Sequence, residues 1–214
     1  MRISVDAMGG DYAPKEIVRG ALDAATTING LEKLFLVGDE QLIQIELDKL
    51  SKEVPDCIEI ISATEVVEMG EAPASAIRKK KDSSISRAID LVKDGKADAI
   101  FSAGNTGAAV AAATLKLRTL EGVNRPAIAT VMPTSKDPFV LLDAGANTDS
   151  TPEMLQQFAV MGKIYCKEIL GVQSPRIGLL SIGEEEAKGN ETTKKSFNIS
   201  IFYNVKKYKI FFQK

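Results

Sequence analysis

The sequence predicts an α/β protein built on a doubly wound, mostly parallel sheet with helices on both faces. Short apolar runs alternate with stretches of helical spacing along most of the 214 residues. The strand runs are nearly continuous in apolar residues, as in sheets that are covered on both faces. Several of them end in loops of Gly, Asp, Asn and Ser, where open α/β sheets bind ligands.

The first half of the chain reads as repeated strand–helix units. Strands are predicted over residues 2–8, 33–37 and 57–61, and a fourth ends before Ser102. Pro14 suits the first turn of a helix. Helical spacing then predicts buried faces, formed by Ile17, Val18, Ala21, Leu22 and Ala25 in the first helix, Leu42, Ile43, Leu47 and Leu50 in the second, and Ile85, Ala88, Ile89 and Val92 in a later one.

The second half continues the alternation. Strands are predicted over residues 127–131, 139–143 and 176–182. Ser150 or Thr151 is expected to cap a long helix whose buried face carries Met154, Leu155, Phe158, Met161 and Tyr165. No linker interrupts this pattern, so residues 1–195 are expected to form one α/β domain. Residues 196–214 differ in composition, with a partly visible strand pair around Ile199, Ile201 and Tyr203, and are set apart as a divergent, frameshift-like tail.

Composition excludes several classes of function. The net charge of −2 gives no overall attraction to nucleic acid. The absence of histidine excludes a Ser-His-Asp triad, a Cys-His pair and a His-ligated metal. Cys57 and Cys166 are expected to be small buried residues in a reducing cytoplasm. No signal peptide is recognised, and no apolar run is long enough to cross a membrane.

The loop of residues 102–107 is the strongest candidate site. Ser102, Asn105 and Thr106 lie between a predicted strand and a predicted helix, and Gly104 and Gly107 leave room for a ligand to approach the backbone. Helix amino ends carry unpaired N–H groups that attract anions. The same residues also serve ordinary turns and caps, which is the alternative interpretation.

Three further loops follow predicted strands and are expected to reach the same crevice. Residues 6–11 include Asp6, Gly9, Gly10 and Asp11, residues 143–147 include Asp143, Gly145 and Asn147, and residues 183–190 include Lys188 and Asn190. Helix capping is an equal alternative for Asp6 and Asp11. Burial of an unpaired carboxylate is costly, which favours a functional role for Asp143. Lys188 is interpreted as contacting an anion, or alternatively as part of a solvated ion-pair loop.

A basic run has two interpretations. Arg78, Lys79, Lys80 and Lys81 are consecutive, and such a run either is a solvated face or docks an acidic partner. No nucleotide-binding pattern accompanies it, because residues 104–107 match neither a dinucleotide fingerprint nor a P-loop.

The motifs closely resemble those of the bacterial PlsX family of phosphate acyltransferases. The resemblance rests on residues 1–15 (MRISVDAMGGDYAPK), 102–108 (SAGNTGA), 125–127 (RPA), 141–147 (LLDAGAN) and 188–191 (KGNE), which occur in family order and spacing. It covers residues 1 to about 195. The implied fold is similar to phosphotransacetylase and to isocitrate and isopropylmalate dehydrogenases.

The resemblance implies transfer of a fatty acyl group from acyl carrier protein to inorganic phosphate. The acyl phosphate product would feed a membrane glycerol-3-phosphate acyltransferase in phospholipid synthesis. The family is homodimeric and cytoplasmic, with loose association at the membrane, and no cofactor or metal is implied. The acidic carrier protein is the implied partner of Arg78, Lys79, Lys80 and Lys81.

The resemblance also assigns roles to the loop residues. Lys188, Asn105 and Asp143 are expected to be catalytic, with Asn105 and backbone N–H groups holding the thioester oxygen. Phosphate or substrate is expected to bind at Asp6, Gly9, Gly10, Ser102, Gly104, Thr106, Gly107, Gly145, Asn147 and Asn190.

The chain departs from the family pattern after about Lys195. A further family loop, Asp-Gly-Phe-x-Gly-Asn, and the dimer helices are not recognised, so a C-terminally truncated copy is expected. Two other functions remain open: a phosphotransacetylase-like transfer from acyl coenzyme A, and an inactive fragment that binds a carrier protein or nothing.

Overall fold

A computed structural model describes residues 1–51, 53–183, 188–200 and 206–209. The chain divides into two compact units, Met1–Arg118 and Thr119–Lys214. The predicted boundary at residue 195 stays a prediction.

The first unit is built on a four-stranded parallel sheet. The strand order is β3-β2-β1-β4, and every neighbouring pair is parallel. Its elements are β1 (Arg2–Asp6), α1 (Lys15–Thr27), β2 (Lys33–Gly38), α2 (Glu40–Leu50), β3 (Ile58–Ser62), α3 (Pro73–Lys79), α4 (Ser84–Lys93), β4 (Ala99–Phe101) and α5 (Thr106–Lys116). The predicted α/β class and the parallel sheet are confirmed.

The two faces of this sheet are covered by different helices. Leu34 and Leu36 of β2 pack in a cluster with Val18 and Leu22 of α1 and Ile43 and Leu47 of α2. Phe35 and Val37 point to the other face and pack with Ala88 and Leu91 of α4. Because side chains alternate along a strand, one continuous apolar run supplies both layers.

Helix α2 buries a narrower face than the sequence predicts. Asp39 caps it by accepting a hydrogen bond from the Leu42 N–H at 3.0 Å. Ile43 and Leu47 are buried, but Leu42 and Leu50 are 44% and 41% exposed. Ile43 and Leu47 lie one helical turn apart on a single stripe. Leu42 lies to one side of that stripe, and Leu50, although on the same face, is the last residue of the helix.

The second unit is less regular. It contains β5 (Thr130–Met132), β6 (Phe139–Leu141), α6 (Pro152–Glu168), β7 (Gly178–Ser181), α7 (Glu191–Ser200) and β8 (Lys206–Lys209). Strands β7 and β8 pair in parallel. On α6, Met154 and Phe158 are the buried residues of the predicted face.

Two expectations for this unit are wrong. Strands β5 and β6 pair antiparallel, so the 143–147 loop does not leave a strand of the parallel sheet. The six intervening residues are too few for a parallel crossover, which needs about a dozen. Ile199 lies in α7 rather than in a strand pair; Ile201 and Tyr203 lie outside the described residues.

None of the described helices has the length and apolar character needed to span a membrane.

The burial contrast on α2 predicts a stability difference between adjacent residues. Ile43→Ala should lower the free energy of unfolding by about 2–4 kcal/mol, because it removes a fully buried side chain and leaves a cavity. Leu42→Ala, one position away and exposed, should cost less than about 1 kcal/mol. Urea unfolding followed by circular dichroism measures both; equal losses would contradict the assigned face.

Candidate functional site

Strand pairing brings two of the predicted loops together in the first unit. Strands β1 and β4 are parallel neighbours, with Val5 opposite Phe101. Asp6 and the loop after Phe101 therefore begin at the same edge of the sheet. The Ser102 hydroxyl donates to Asp6 Oδ2 at 2.7 Å and accepts from the Gly104 N–H at 3.2 Å. Asp6 is only 3% exposed, so the hydrogen bond between Ser102 and Asp6 joins the two loops in the protein interior.

Glycines allow these two loops to touch. A Cβ at Gly9 would lie 2.4 Å from Asp6 Oδ2 and 2.9 Å from the Gly104 nitrogen. A Cβ at Gly104 would lie 3.0 Å from Gly9 Cα. Of Gly104 and Gly107, which are expected from the sequence to leave room for a ligand, Gly104 has its Cβ side filled by the neighbouring loop.

Gly10, Gly107 and Gly145 have different surroundings. Gly10 has a φ of +113°, which favours glycine, and a Cβ there would lie 3.2 Å from the Ala103 oxygen. A Cβ at Gly107 would lie 2.6 Å from Pro73 Cγ. Gly145 has a φ of +103° and no atom of the described residues within 4 Å of its Cβ position.

Both the oxygen and the nitrogen of the Asn105 side-chain amide form hydrogen bonds within the protein. Oδ1 accepts from the Ala108 N–H at 2.9 Å and caps α5. Nδ2 donates to the carbonyl oxygens of Glu68, Met69 and Glu71 at 3.1–3.2 Å. The expected contact with a thioester oxygen is at odds with this geometry, since both amide hydrogens are already used.

The backbone of α5 offers the donors that the Asn105 side chain does not. Thr106 and Gly107 are exposed at the helix start. Their N–H groups have no partner within the described part of the chain. Such groups are suited to a negative oxygen.

The basic run is not uniform. Arg78, Lys79 and Lys81 are exposed. Lys80 instead forms an ion pair with Glu71 and donates to the Val66 carbonyl oxygen at 2.7 Å. The hydrogen bond from Lys80 holds the pKa of Glu71 below its usual range. Lys80 therefore has a structural partner, and its inclusion in a docking surface is corrected.

In the second unit Asp143 organises the 143–147 loop. Its carboxylate accepts from the N–H groups of Ile128 at 2.8 Å, Ala146 at 3.2 Å and Asn147 at 2.7 Å. Asn147 Nδ2 donates to Asp143 Oδ2 at 3.1 Å and to the Pro126 oxygen at 2.9 Å. Both side chains are thus used within the loop, so the Asp143 carboxylate, expected to be catalytic, has a structural task here.

These hydrogen bonds determine the ionisation of Asp143. Burial raises the pKa of this carboxyl group, but the N–H donors of Ile128 and Asn147 outweigh burial and hold the pKa below its usual range. Asp143 is therefore expected to be charged throughout the physiological range.

A cavity of about 380 Å³ lies at the starts of α6 and α7. Its lining is mainly hydroxyl-bearing and consists of Thr148, Asp149, Ser150, Thr151, Pro152, Asn190 and Thr192. Thr151 caps α6 by accepting from the Met154 N–H, and Asn190 caps α7 by accepting from the Thr193 N–H at 2.8 Å. Of these residues only Asn190 is predicted from the sequence to bind a ligand; the run of Ser and Thr before Pro152 is the sequence signal that indicates the others.

Lys188 lies two residues before Asn190, which lines this cavity. It is exposed and has no hydrogen-bond or ion-pair partner among the described residues. Gly189, with a φ of +98°, turns the chain into α7; a Cβ there would lie 2.3 Å from Thr193 Oγ1. The Lys188 ammonium group is thus free of the described residues, while the ion-pair alternative involves residues 184–186, which lie outside them.

The loop contact around Gly9 yields a stability prediction. Gly9→Ala should destabilise the protein by about 1–3 kcal/mol, because the new Cβ displaces the Asp6 carboxylate and its hydrogen bond to Ser102. Gly20→Ala is the control: no atom lies within 4 Å of its Cβ position in α1, so it should be neutral or stabilising. Thermal melts compare the two; similar shifts would rule out loop contact as the cause.

The depressed pKa of Asp143 yields a pH prediction. A carboxyl group whose pKa is lower in the folded state stabilises that state above its unfolded pKa, and this stabilisation is lost as pH falls through the folded pKa. The stability advantage of the wild type over Asp143→Asn should therefore be full near pH 7 and shrink below about pH 4. Urea unfolding of both proteins over a pH series measures this stability difference. A difference that does not change with pH would contradict the prediction.

Comparison with known proteins identifies the family. A family model described as "Fatty acid synthesis protein" matches residues 1–210. A phosphate acyltransferase of Halothermothrix orenii is 51% identical over 199 residues, and one of Desulforamulus reducens is 53% identical over 199 residues. Each alignment covers 93% of this chain and 59% of the relative. The chain thus spans about three fifths of the length of these relatives.

Solved structures show the same fold. A phosphotransacetylase from Streptococcus pyogenes aligns with a TM-score of 0.72 at 20% identity, covering 98% of this chain and 68% of that one. The EutD phosphotransacetylase from Staphylococcus aureus aligns with a TM-score of 0.66 at 18% identity, covering 99% and 68%. The predicted phosphotransacetylase-like fold is confirmed. Together with the family match, these findings show that the chain belongs to the fatty acid synthesis protein family, the PlsX family that its motifs resemble.

Proposed function

We propose that the chain transfers a fatty acyl group from acyl carrier protein to inorganic phosphate. The observation that carries the proposal is the 51–53% identity to relatives named phosphate acyltransferase over 93% of the chain. The acyl phosphate would be used for phospholipid synthesis by a membrane acyltransferase. Residues 1–195 would supply the acyltransferase part, as a cytoplasmic protein peripheral to the membrane and a homodimer in full-length members.

The chemistry suits a site without histidine. A phosphate oxygen attacks the thioester carbonyl carbon, a C–O bond forms, the C–S bond breaks, and the thiolate leaves and takes a proton from water. Phosphate is already an anion at neutral pH and needs no strong base. Catalysis then depends on positioning and on charge stabilisation, which backbone N–H groups and cations provide.

The start of α5 supports binding of a developing oxyanion. The unpaired N–H groups of Thr106 and Gly107 are the proposed donors, and the Asn105 cap fixes their direction. Preorganised donors of this kind stabilise negative charge without reorganising during the reaction. The oxyanion role is thus assigned to the backbone, with Asn105 as the residue that positions it.

The hydroxyl-lined cavity supports binding of phosphate in the second unit. Thr148, Ser150 and Thr192 present hydroxyl groups, and Lys188 supplies a positive charge nearby in sequence. Asp149 also lines the cavity. Its carboxylate can accept a hydrogen bond from the P–OH group of hydrogen phosphate, whereas it would repel the fully ionised form.

The exposed basic residues support an acidic carrier as the acyl donor. Arg78, Lys79 and Lys81 are free of ion pairs within the described residues, and complementary charge speeds encounter with an acidic partner. A second candidate donor is acyl coenzyme A, which is favoured by the likeness of the fold to phosphotransacetylases.

A donor comparison tests the proposal. Acyl phosphate trapped as a hydroxamate should accumulate with acyl carrier protein and inorganic phosphate, and much more slowly with acyl coenzyme A. A preference for coenzyme A would favour the phosphotransacetylase-like alternative. No product with either donor would show that the chain as it stands is an inactive fragment.

Lys188 gives the sharper prediction. Lys188→Ala should lower kcat/KM for phosphate by roughly 100-fold, as expected when one charged group that stabilises the transition state is removed. Lys163→Ala removes an exposed lysine of α6 in the same unit and should leave the rate unchanged. If both variants matched the wild type, Lys188 would have no catalytic role.

A further inference from the structure

The turn formed by residues 68–71 is fastened to the candidate site by side chains distant in sequence. Asn105 Nδ2 donates to three carbonyl oxygens of this turn, those of Glu68, Met69 and Glu71. The Glu71 carboxylate accepts from the Glu68 N–H at 2.9 Å and pairs with Lys80. The 68–71 turn is therefore held at both ends.

Helix α3 seats the same segment against α5. Pro73 begins α3 and lies so close to Gly107 that a Cβ there would be 2.6 Å from Pro73 Cγ. Ala76 and Ile77 of α3 pack in one cluster with Ala108 and Ala112 of α5. The turn thus stands beside the unpaired N–H groups at the start of α5.

Met69 is the apolar side chain on this fixed turn. It is 54% exposed, although its own carbonyl oxygen is bonded to Asn105 at 3.1 Å. Isolated exposed apolar residues are common and carry no meaning alone. Here three hydrogen bonds from Asn105 hold the backbone beside the start of α5, where the proposed function places the reacting carbonyl group. A flexible thioether also adapts to apolar ligands of varied shape.

The positive charges on α3 indicate what kind of ligand would lie against the 68–71 turn. Arg78 and Lys79 lie at the far end of α3, about 10 Å along the helix from its start beside the turn. An acidic carrier bound at these cations would present its thioester to the start of α5 beside the turn, with the hydrocarbon chain extending from the thioester carbonyl group. The occupant that fits is a hydrocarbon chain carried by an anionic head group.

We propose that Met69 contacts the fatty acyl chain, so that the 68–71 turn contributes to chain-length selection. The inference rests on the proposed function, because the acyl chain enters through it. Asn105 acts as a positioning residue that holds the turn beside the reacting carbonyl group.

Direct binding separates this inference from catalysis. A long-chain alkylphosphonate and methylphosphonate are titrated into the full chain by calorimetry; they share a head group and differ in the hydrocarbon chain. Met69→Gln should weaken binding of the long-chain probe by about fivefold, since an apolar contact is lost, and should leave methylphosphonate binding unchanged. Met69→Leu should restore long-chain binding.

Leu115→Gln is the matched control. Leu115 is 53% exposed on α5, about 15 Å along the helix from the Asn105 cap, and its replacement should affect neither probe. Unchanged long-chain binding in Met69→Gln, or a wild type that binds both probes equally or neither, would overturn the inference. Met69-dependent binding without acyl phosphate formation would instead refute only the proposed transfer.

Discussion

The parallel pairing of β1 with β4 is the constraint on which the first unit depends. It places Asp6 and Ser102 at one edge of the sheet, where a single short hydrogen bond of 2.7 Å joins them. At Gly9 and Gly104 the two loops lie too close together for either residue to carry a side chain. The start of α5 is thereby held in a fixed place, which preorganises its N–H groups.

Polar side chains in both units are mostly used to hold loops rather than left free. Asn105 holds a turn and Asp143 holds its own loop, each through several backbone groups. Among the described residues, the groups left available include backbone N–H groups at a helix start, the Lys188 ammonium group and the exposed cations Arg78, Lys79 and Lys81. A reaction between an anion and a neutral thioester needs few free side chains, provided that the backbone donors are rigid.

Much of the fold follows from periodicity, because apolar runs and helical spacing are local signals. The sheet strands, the Asp39 cap and the family motifs are all readable from short windows of sequence. The antiparallel pairing of β5 and β6 was also readable, since six residues cannot form a parallel crossover. The hydrogen-bond partners of the Asn105 side-chain amide could not be predicted from the sequence. The carbonyl groups that it contacts lie 34–37 residues away, and local sequence patterns do not encode contacts at that separation. The same limit applies to Lys80, whose neighbours in the run are exposed while it pairs with Glu71.

Gly9 and Gly145 look equivalent in sequence but constrain evolution differently. At Gly9 the obstacles to a side chain are the Asp6 carboxylate and the backbone nitrogen of Gly104, so a tolerated side chain would require the neighbouring loop to move. At Gly145 no atom of the described residues lies within 4 Å of the Cβ position, and the obstacle is the φ of +103°, which belongs to the residue's own backbone. A substitution elsewhere in the chain therefore cannot relieve this constraint, because lack of space is not its cause. The first glycine is thus required by contact with a neighbouring loop, whereas the second is required by its own backbone conformation.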